Sequence, residues 1–184
     1  MNILKEIIKP TFVLVIICAV VASLLAFTYN VTGVGELGKG ITQNDLDKYV
    51  YTVMPNATRL TRTSSTVEDK NFLGAYVDDS KNGIAVHLLA KGYAGADSLN
   101  LLVGFDKEGK VTGVQFISIA ETPELGTKIT EKSFTDTFTG KTPPLKIGED
   151  IDAIAGATKS SSAFTNALNH AYEIFLQVKE EILA

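Results

Sequence analysis

The chain has 184 residues, 45% apolar and 21% charged, with 15 glycines and 5 prolines, a composition that suits a folded unit and excludes collagen-like or wholly disordered chains. Its formal net charge of -4, from 17 Lys plus Arg against 21 Asp plus Glu, offers no basic field for a run of phosphates, so no nucleic-acid partner is expected. The single cysteine, Cys18, cannot close an intrachain disulfide, and with only His87 and His170 beside it no structural zinc cluster can be assembled.

In chain order, the first element is an apolar run, Thr11 to Tyr29 (TFVLVIICAVVASLLAFTY), without a charge. About 19 residues at 1.5 Å rise cover roughly 28 Å, enough to cross a bilayer once. Lys5 and Lys9 precede the run and no Lys or Arg follows before Lys39, so the positive-inside rule places residues 1–9 in the cytoplasm, a transmembrane helix at 10–29, and the remainder outside. Tyr29 suits the headgroup region at the outer end, and Cys18 is apolar filler. A cleaved signal peptide is the competing reading, but the run exceeds the usual 7–15-residue apolar region of such peptides. Removing Lys5, Lys9 and Glu6 leaves 15 basic and 20 acidic side chains, an external part of net charge -5, which does not favour binding to anionic lipid surfaces.

Residues 30–41 contain four glycines and read as a linker. Thr42 can cap a helix through Leu46, Tyr49 and Val50, with Asp45 in its first turn and Pro55 ending it. Asn56 to Asp79 is polar and ambiguous. From Gly83 onward, IAVHLLAKGYAG, LNLLVGF and VTGVQFISIA are three runs of strand length, the last two joined by the loop Asp106-Lys107-Glu108-Gly109-Lys110 as an antiparallel hairpin. Ile129 to Phe138 can form a short amphipathic helix, broken by Gly140 and Pro143-Pro144. Phe164, Leu168, Ala171, Phe175, Val178 and Ile182 recur at three- and four-residue steps, which predicts a helix from about Ser161 to Ile182. The expected class is α+β: an N-terminal transmembrane helix, then a domain over 42–184 with an antiparallel sheet flanked by helices.

The chemistry points to Asp152-Ala153-Ile154-Ala155-Gly156-Ala157-Thr158-Lys159-Ser160-Ser161-Ser162, which runs small and hydroxyl-rich into the last helix. Free amides at a helix start attract an anion, Gly156 and Ala157 permit close approach, Thr158, Ser160 and Ser161 supply hydroxyls and Lys159 a countercharge, which suits a phosphate. The plainer alternative is that the hydroxyls only cap the helix and Asp152 closes a turn. Neither Gly-x-x-x-x-Gly-Lys-Ser/Thr nor Gly-x-Gly-x-x-Gly occurs. His87 and His170 read as structural, and no Ser/His/Asp triad or extramembrane Cys nucleophile can be argued, so no catalytic residue is assigned.

AGATKSS with Asp152 ahead of it resembles the flavinylation motif of the FMN-binding domain family, Asp-x-x-(Ser/Thr/Ala)-Gly-Ala-Thr-x-(Thr/Ser), the family of RnfG and NqrC. Glu121-Thr122-Pro123-Glu124-Leu125-Gly126 is similar to the family's Glu-Thr-Pro-Gly-Leu-Gly, and Gly92-Tyr93 ahead of a Gly-containing hairpin also fits. With the N-terminal helix and the short length, the resemblance covers nearly the whole chain and is nearer the Rnf type. It implies covalent FMN, joined through its phosphate to a hydroxyl by a separate flavin transferase that uses FAD.

By position that hydroxyl belongs to Ser160, with Thr158 and Ser161 as alternatives; Ser stands where better known members carry Thr. Glu121, Thr122, Leu125, Gly126, Thr127 and Lys128, with Gly156, Ala157, Thr158, Lys159 and Ser161, are the implied cofactor-binding residues. Glu124 replaces the family's Gly, costly if the position needs positive φ. The role implied is an electron-carrier subunit, within the cell membrane, of an Rnf complex coupling ferredoxin:NAD electron transfer to Na⁺ or H⁺ translocation, a translocase whose other subunits hold the iron–sulfur clusters, other flavins and the NAD site. The alternatives are an NqrC-like subunit of the Na⁺-translocating NADH:quinone oxidoreductase and a stand-alone anchored flavoprotein.

Overall fold

In the computed structural model, residues 3–32 and 41–182 are described. The chain divides into two units, Met1–Leu37 and Gly38–Ala184. In the first, one helix, α1 (Ile3–Thr32), contains the apolar run, and its side chains from Thr11 to Thr28 are all exposed. Large aliphatic and aromatic groups such as Phe12, Leu24, Leu25 and Phe27 are exposed among the described residues, an arrangement suited to hydrocarbon and not to water. The helix is long and apolar enough to cross a membrane. It extends through Asn30 to Thr32, three residues expected in the linker, while residues 33–40 lie outside the described part. Tyr29 lies within α1, and its side chain is outside the described part.

The described part of the second unit begins with Ile41, which is buried, and α2 (Gln43–Val53). Thr42 caps α2 as its sequence indicates: its Oγ1 accepts the Asp45 amide at 3.3 Å, beside that amide's 3.1 Å bond to Thr42 O. Five antiparallel strands follow in one meander, β1 (Leu60–Thr63), β2 (Phe72–Asp78), β3 (Gly83–Ala90), β4 (Leu99–Asp106) and β5 (Val111–Ile119), and lie side by side in chain order. The three expected strands are β3, β4 and β5. β1 and β2 occupy the stretch whose sequence is ambiguous, because β1 buries only its first residue fully and β2 carries a register shift between Phe72 and Gly74, so neither shows a clean two-residue period.

The predicted β4–β5 hairpin closes on Gly109 at φ 87, with the Lys110 amide held by Asp106 Oδ1 at 2.8 Å and the Gly109 amide by Asp106 O at 2.9 Å. β3 and β4 are buried on both faces and so read as continuous apolar runs instead of alternating ones. On one face lies α4 (Thr158–Ile182), whose Phe164, Leu168, Ala171, Phe175 and Val178 pack with Ile84, Val86, Leu101, Val103 and Phe105. On the other, α2 lays Leu46, Val50 and Val53 against Leu60, Tyr76, Ala85 and Leu102. The expected stripe on the last helix is therefore its core face, with only Ile182 half-buried.

The segment expected as one short helix is three tight pieces, 3₁₀ turns at Gly126–Thr130 and Asp136–Phe138 around α3 (Lys132–Thr135). Ile129, Phe134 and Phe138 point into the core, and Phe164 of α4 meets Phe134 and Phe138 at 5.8 and 5.0 Å between ring centroids. That aromatic contact ties the segment after the Glu121–Gly126 loop to the first turns of α4.

Candidate functional site

α4 begins where the sequence places its hydroxyl-rich run. Gly156 takes φ 78, a left-handed turn in which a Cβ would be strained, and the Ala157 amide closes the turn on Ile154 O at 2.9 Å. The first bond of the helical ladder is from the Ser161 amide to Ala157 O at 2.9 Å, leaving the amides of Thr158, Lys159 and Ser160 without an acceptor among the described residues. Three adjacent donors at the positive end of a helix suit an oxyanion.

The hydroxyls divide by role. Ser161 is fully buried and its Oγ accepts the Ile154 amide at 3.1 Å, which fixes the turn before the helix. Thr158 is exposed and lines an open groove of about 520 Å³ with Lys91, Gly92, Tyr93, Lys159, Ser162, Ala163 and Asn166. Lys159 Nζ stands 5.1 Å from the centroid of the Tyr93 ring, a cation–π contact across that groove. Ser160 is 3% exposed, and its Oγ donates to Glu121 Oε2 at 2.8 Å.

Glu121 follows the end of β5 and is itself 7% exposed. The Ala94 amide donates to its Oε1 at 3.2 Å, and Ser98 Oγ lies 3.2 Å from the same oxygen. Ser98 Oγ accepts the Gly92 amide at 2.9 Å and is 3.1 Å from Gly95 O, so its single proton serves either that carbonyl or the carboxylate. The sheet fixes this arrangement from below, since the Ala120 amide bonds Ser98 O at 2.8 Å. Gly92 and Gly126 flank the carboxylate: a Cβ on Gly92 would overlap Glu121 and Ser98, and one on Gly126 would come within 2.8 Å of Glu121 Oε2 and 3.1 Å of Ser160 Oγ.

The outer part of the loop closes on itself through the Thr127 amide to Thr122 O at 3.1 Å, the Glu124 amide to Thr127 Oγ1 at 3.0 Å and the Lys128 amide to Leu125 O at 3.2 Å. Glu124 has φ 62, so the position needs the left-handed backbone for which glycine is suited and which the family pattern supplies. Leu125 is 48% exposed and stands over the Gly156 turn, its Cδ2 lying 3.7 Å from where a Gly156 Cβ would be.

The two motif segments are thus brought together, with Glu121, Gly126 and Ser160 in direct contact and Thr158 and Lys159 opening onto the groove. Sequence reasoning misses Ser98 and the Ala94 amide, which lie in the β3–β4 connection with no pattern to mark them. Ser162 and Asn166 are also missed, although they follow Thr158 at steps of four and so share its helix face. A larger groove of about 1020 Å³ runs along β5 and is lined by none of the residues expected at the site. His87 is buried with Nε2 2.6 Å from Asn100 Oδ1, and His170 bonds Asp69 at 2.8 Å.

The glycine turn and free amides at the start of α4 lie beside an open groove, and residues 92–173, which contain the turn, the amides and most of the groove lining, match the model of the FMN-binding domain. The match starts at the glycine beside Glu121 and ends within α4. The chain is 33% identical to the G subunit of the ion-translocating oxidoreductase complex of Methanosarcina acetivorans, over 92% of its own length and 94% of that relative. It is 30% identical to the protein of the same name from Shewanella piezotolerans, over 77% of each. With the G subunit of the Na⁺-translocating ferredoxin:NAD⁺ oxidoreductase complex of Acetobacterium woodii it shares 27%, over 93% and 92%. The chain belongs to the family of the G subunits of ion-translocating oxidoreductase complexes and carries an FMN-binding domain.

Proposed function

We propose that the chain is a membrane-anchored electron-carrier subunit of an Rnf-type complex, with FMN held covalently at Ser160, and that the complex couples ferredoxin:NAD electron transfer to Na⁺ or H⁺ translocation. The observation that supports it most is the meeting of the two family motif segments at one point, Glu121 Oε2 to Ser160 Oγ at 2.8 Å, beside unpaired helix amides. The name of the Acetobacterium woodii relative supports the ferredoxin and NAD⁺ half-reactions, and agreement over nearly the whole length of two relatives supports a shared role in the assembly.

The residues fit the group. The amides of Thr158, Lys159 and Ser160 would hold the phosphate, Gly156 keeps the turn free of a side chain, and Lys159 would offset the charge. Tyr93 and Leu125, both exposed at the rim, offer apolar surface for a planar ring system. When bound, FMN supplies one- and two-electron transfer through its isoalloxazine ring, and the protein sets where that ring lies. A hydroxyl as buried as Ser160 is reached by a flavin donor only when its surroundings open.

A covalent link serves a domain on the outer face of the membrane, where a lost cofactor cannot be replaced from the cytoplasmic pool. The charge distribution around α1 supports that placement, with the N-terminus inside. The test is co-expression of the full chain with a flavin transferase, flavin fluorescence of its band on a denaturing gel, and peptide mass spectrometry. An FMN adduct on Ser160 that disappears in Ser160→Ala is the expected result; an adduct retained in that variant rules out the site.

A further inference from the structure

Glu121 is a buried carboxylate with no cationic partner among the described residues: its neighbours are two hydroxyls and one backbone amide. Burying a carboxylate without a counter-ion is costly, and a purely structural need to hold the Ser160 hydroxyl could be met by a neutral acceptor. Three further features hold it in place. Gly92 and Gly126 leave room on either side, the Ala94 amide holds Oε1 with Ser98 Oγ beside it, and among the described residues Oε2 has a single partner, the Ser160 hydroxyl at 2.8 Å. One oxygen is fixed and the other faces the proton that a nucleophilic serine must lose.

The geometry points to Glu121 as the general base of flavin attachment, supplied by the acceptor protein itself and not by the transferase alone. This rests on Ser160 being the attachment residue. In the step, Ser160 Oγ forms a bond to the FMN-side phosphorus of a flavin dinucleotide, the bond from that phosphorus to the bridging oxygen breaks, and the nucleoside monophosphate leaves. The Ser160 proton passes to Glu121 Oε2, and no electrons change hands. The product is a phosphodiester anion beside a carboxyl that has become neutral, so the same transfer removes a like-charge repulsion that would otherwise oppose the product at this separation. The neutral carboxyl then has a proton to donate to a phosphodiester oxygen.

The test follows adduct formation, not electron transfer. Purified full-length chain in detergent is incubated with a flavin transferase and FAD, and the FMN-modified peptide is quantified against time for the native chain, Glu121→Gln, Glu121→Ala and Ser160→Ala. Glutamine keeps an acceptor for the Ser160 hydroxyl but cannot take its proton at neutral pH. Glu121→Gln is expected to slow attachment at least about 100-fold, the usual scale of a lost general base, and formate is expected to restore the rate of Glu121→Ala in proportion to its concentration. Native-like attachment in Glu121→Gln overturns the inference while leaving Ser160 as the site. Should Glu121→Gln prove unfolded by thermal melting, the Glu121→Ala series decides: no rescue by formate in the folded fraction overturns the base role. An adduct in Ser160→Ala overturns the attachment site instead, a separate outcome.

Discussion

Adding one methyl group at Gly126 tests whether the contact between Glu121 and Ser160 is as tight as its distances indicate. An alanine Cβ there would sit 2.8 Å from Glu121 Oε2, 2.9 Å from Glu121 Cβ and 3.1 Å from Ser160 Oγ, against an ordinary contact of roughly 3.5–4.0 Å. Its neighbours are held by the sheet on one side and the first turn of α4 on the other, so the strain cannot be shed into a flexible side chain. Overpacking costs about 1–3 kcal/mol, and a weakened hydrogen bond to a charged acceptor adds up to roughly 1.5–3 kcal/mol. Ala restricts the unfolded chain more than Gly does, which offsets about 0.4–1 kcal/mol. The expected net loss is about 2–3 kcal/mol, a fall in melting temperature of roughly 5–10 °C for a domain of this size. Gly74→Ala is the matched control: its Cβ meets nothing nearer than Tyr76 Oη at 3.4 Å, and its φ is ordinary. Differential scanning of both full-length variants in detergent is the assay, with attachment of flavin measured in parallel. Gly126→Ala should melt early and accept flavin at least about tenfold more slowly, as expected for a displaced nucleophile, while Gly74→Ala should match the native chain in both. A Gly126→Ala variant indistinguishable from Gly74→Ala would refute the close packing assigned to the site.

Glu124→Gly should raise stability by about 0.5 kcal/mol, because the φ of 62 costs an L-residue roughly 1–2 kcal/mol and the added freedom of glycine in the unfolded chain returns about half of it; a lower unfolding midpoint in urea would count against this. Phe164→Ala, which empties the contact with Phe116, Phe134 and Phe138, should cost about 3–5 kcal/mol and show as early thermal unfolding. His87 is held neutral by burial, its pKa lowered from 6.5 to about 4. The unfolded chain binds the proton first, so this group leaves stability intact above pH 6.5, subtracts from it as pH falls, and reaches its full effect, about 3 kcal/mol, below the folded value. Comparing acid unfolding of the native chain with His87→Gln isolates the effect; parallel curves would show that His87 does not carry it.

Much of the architecture is legible locally because each element states its own partner. The uncharged run of α1 needs hydrocarbon, the three- and four-residue apolar steps of α4 need one flat surface, and the doubly buried β3 and β4 supply it. The Gly156 turn and the left-handed position of Glu124 are likewise readable from residue type against the family pattern.

Other features depend on distant segments. β1 and β2 have little periodicity of their own and become strands through backbone pairing, β2 with β3 and β1 with β2, and the segment 126–138 breaks into short turns so that Ile129, Phe134 and Phe138 can all reach the core.

The membrane-length helix, the α+β class and two motif segments with the chemistry of a phosphate site all follow from residue order alone. Which atoms of those segments meet is a matter of long-range packing. Glu121 and Ser160 are 39 positions apart, and Ser98 a further 23 from Glu121. Whether a carboxylate faces a hydroxyl at 2.8 Å or points to solvent depends on the meander carrying the end of β5 to the first turn of α4. No local pattern encodes that distance, because it is set by the sum of the packing between sheet and helix.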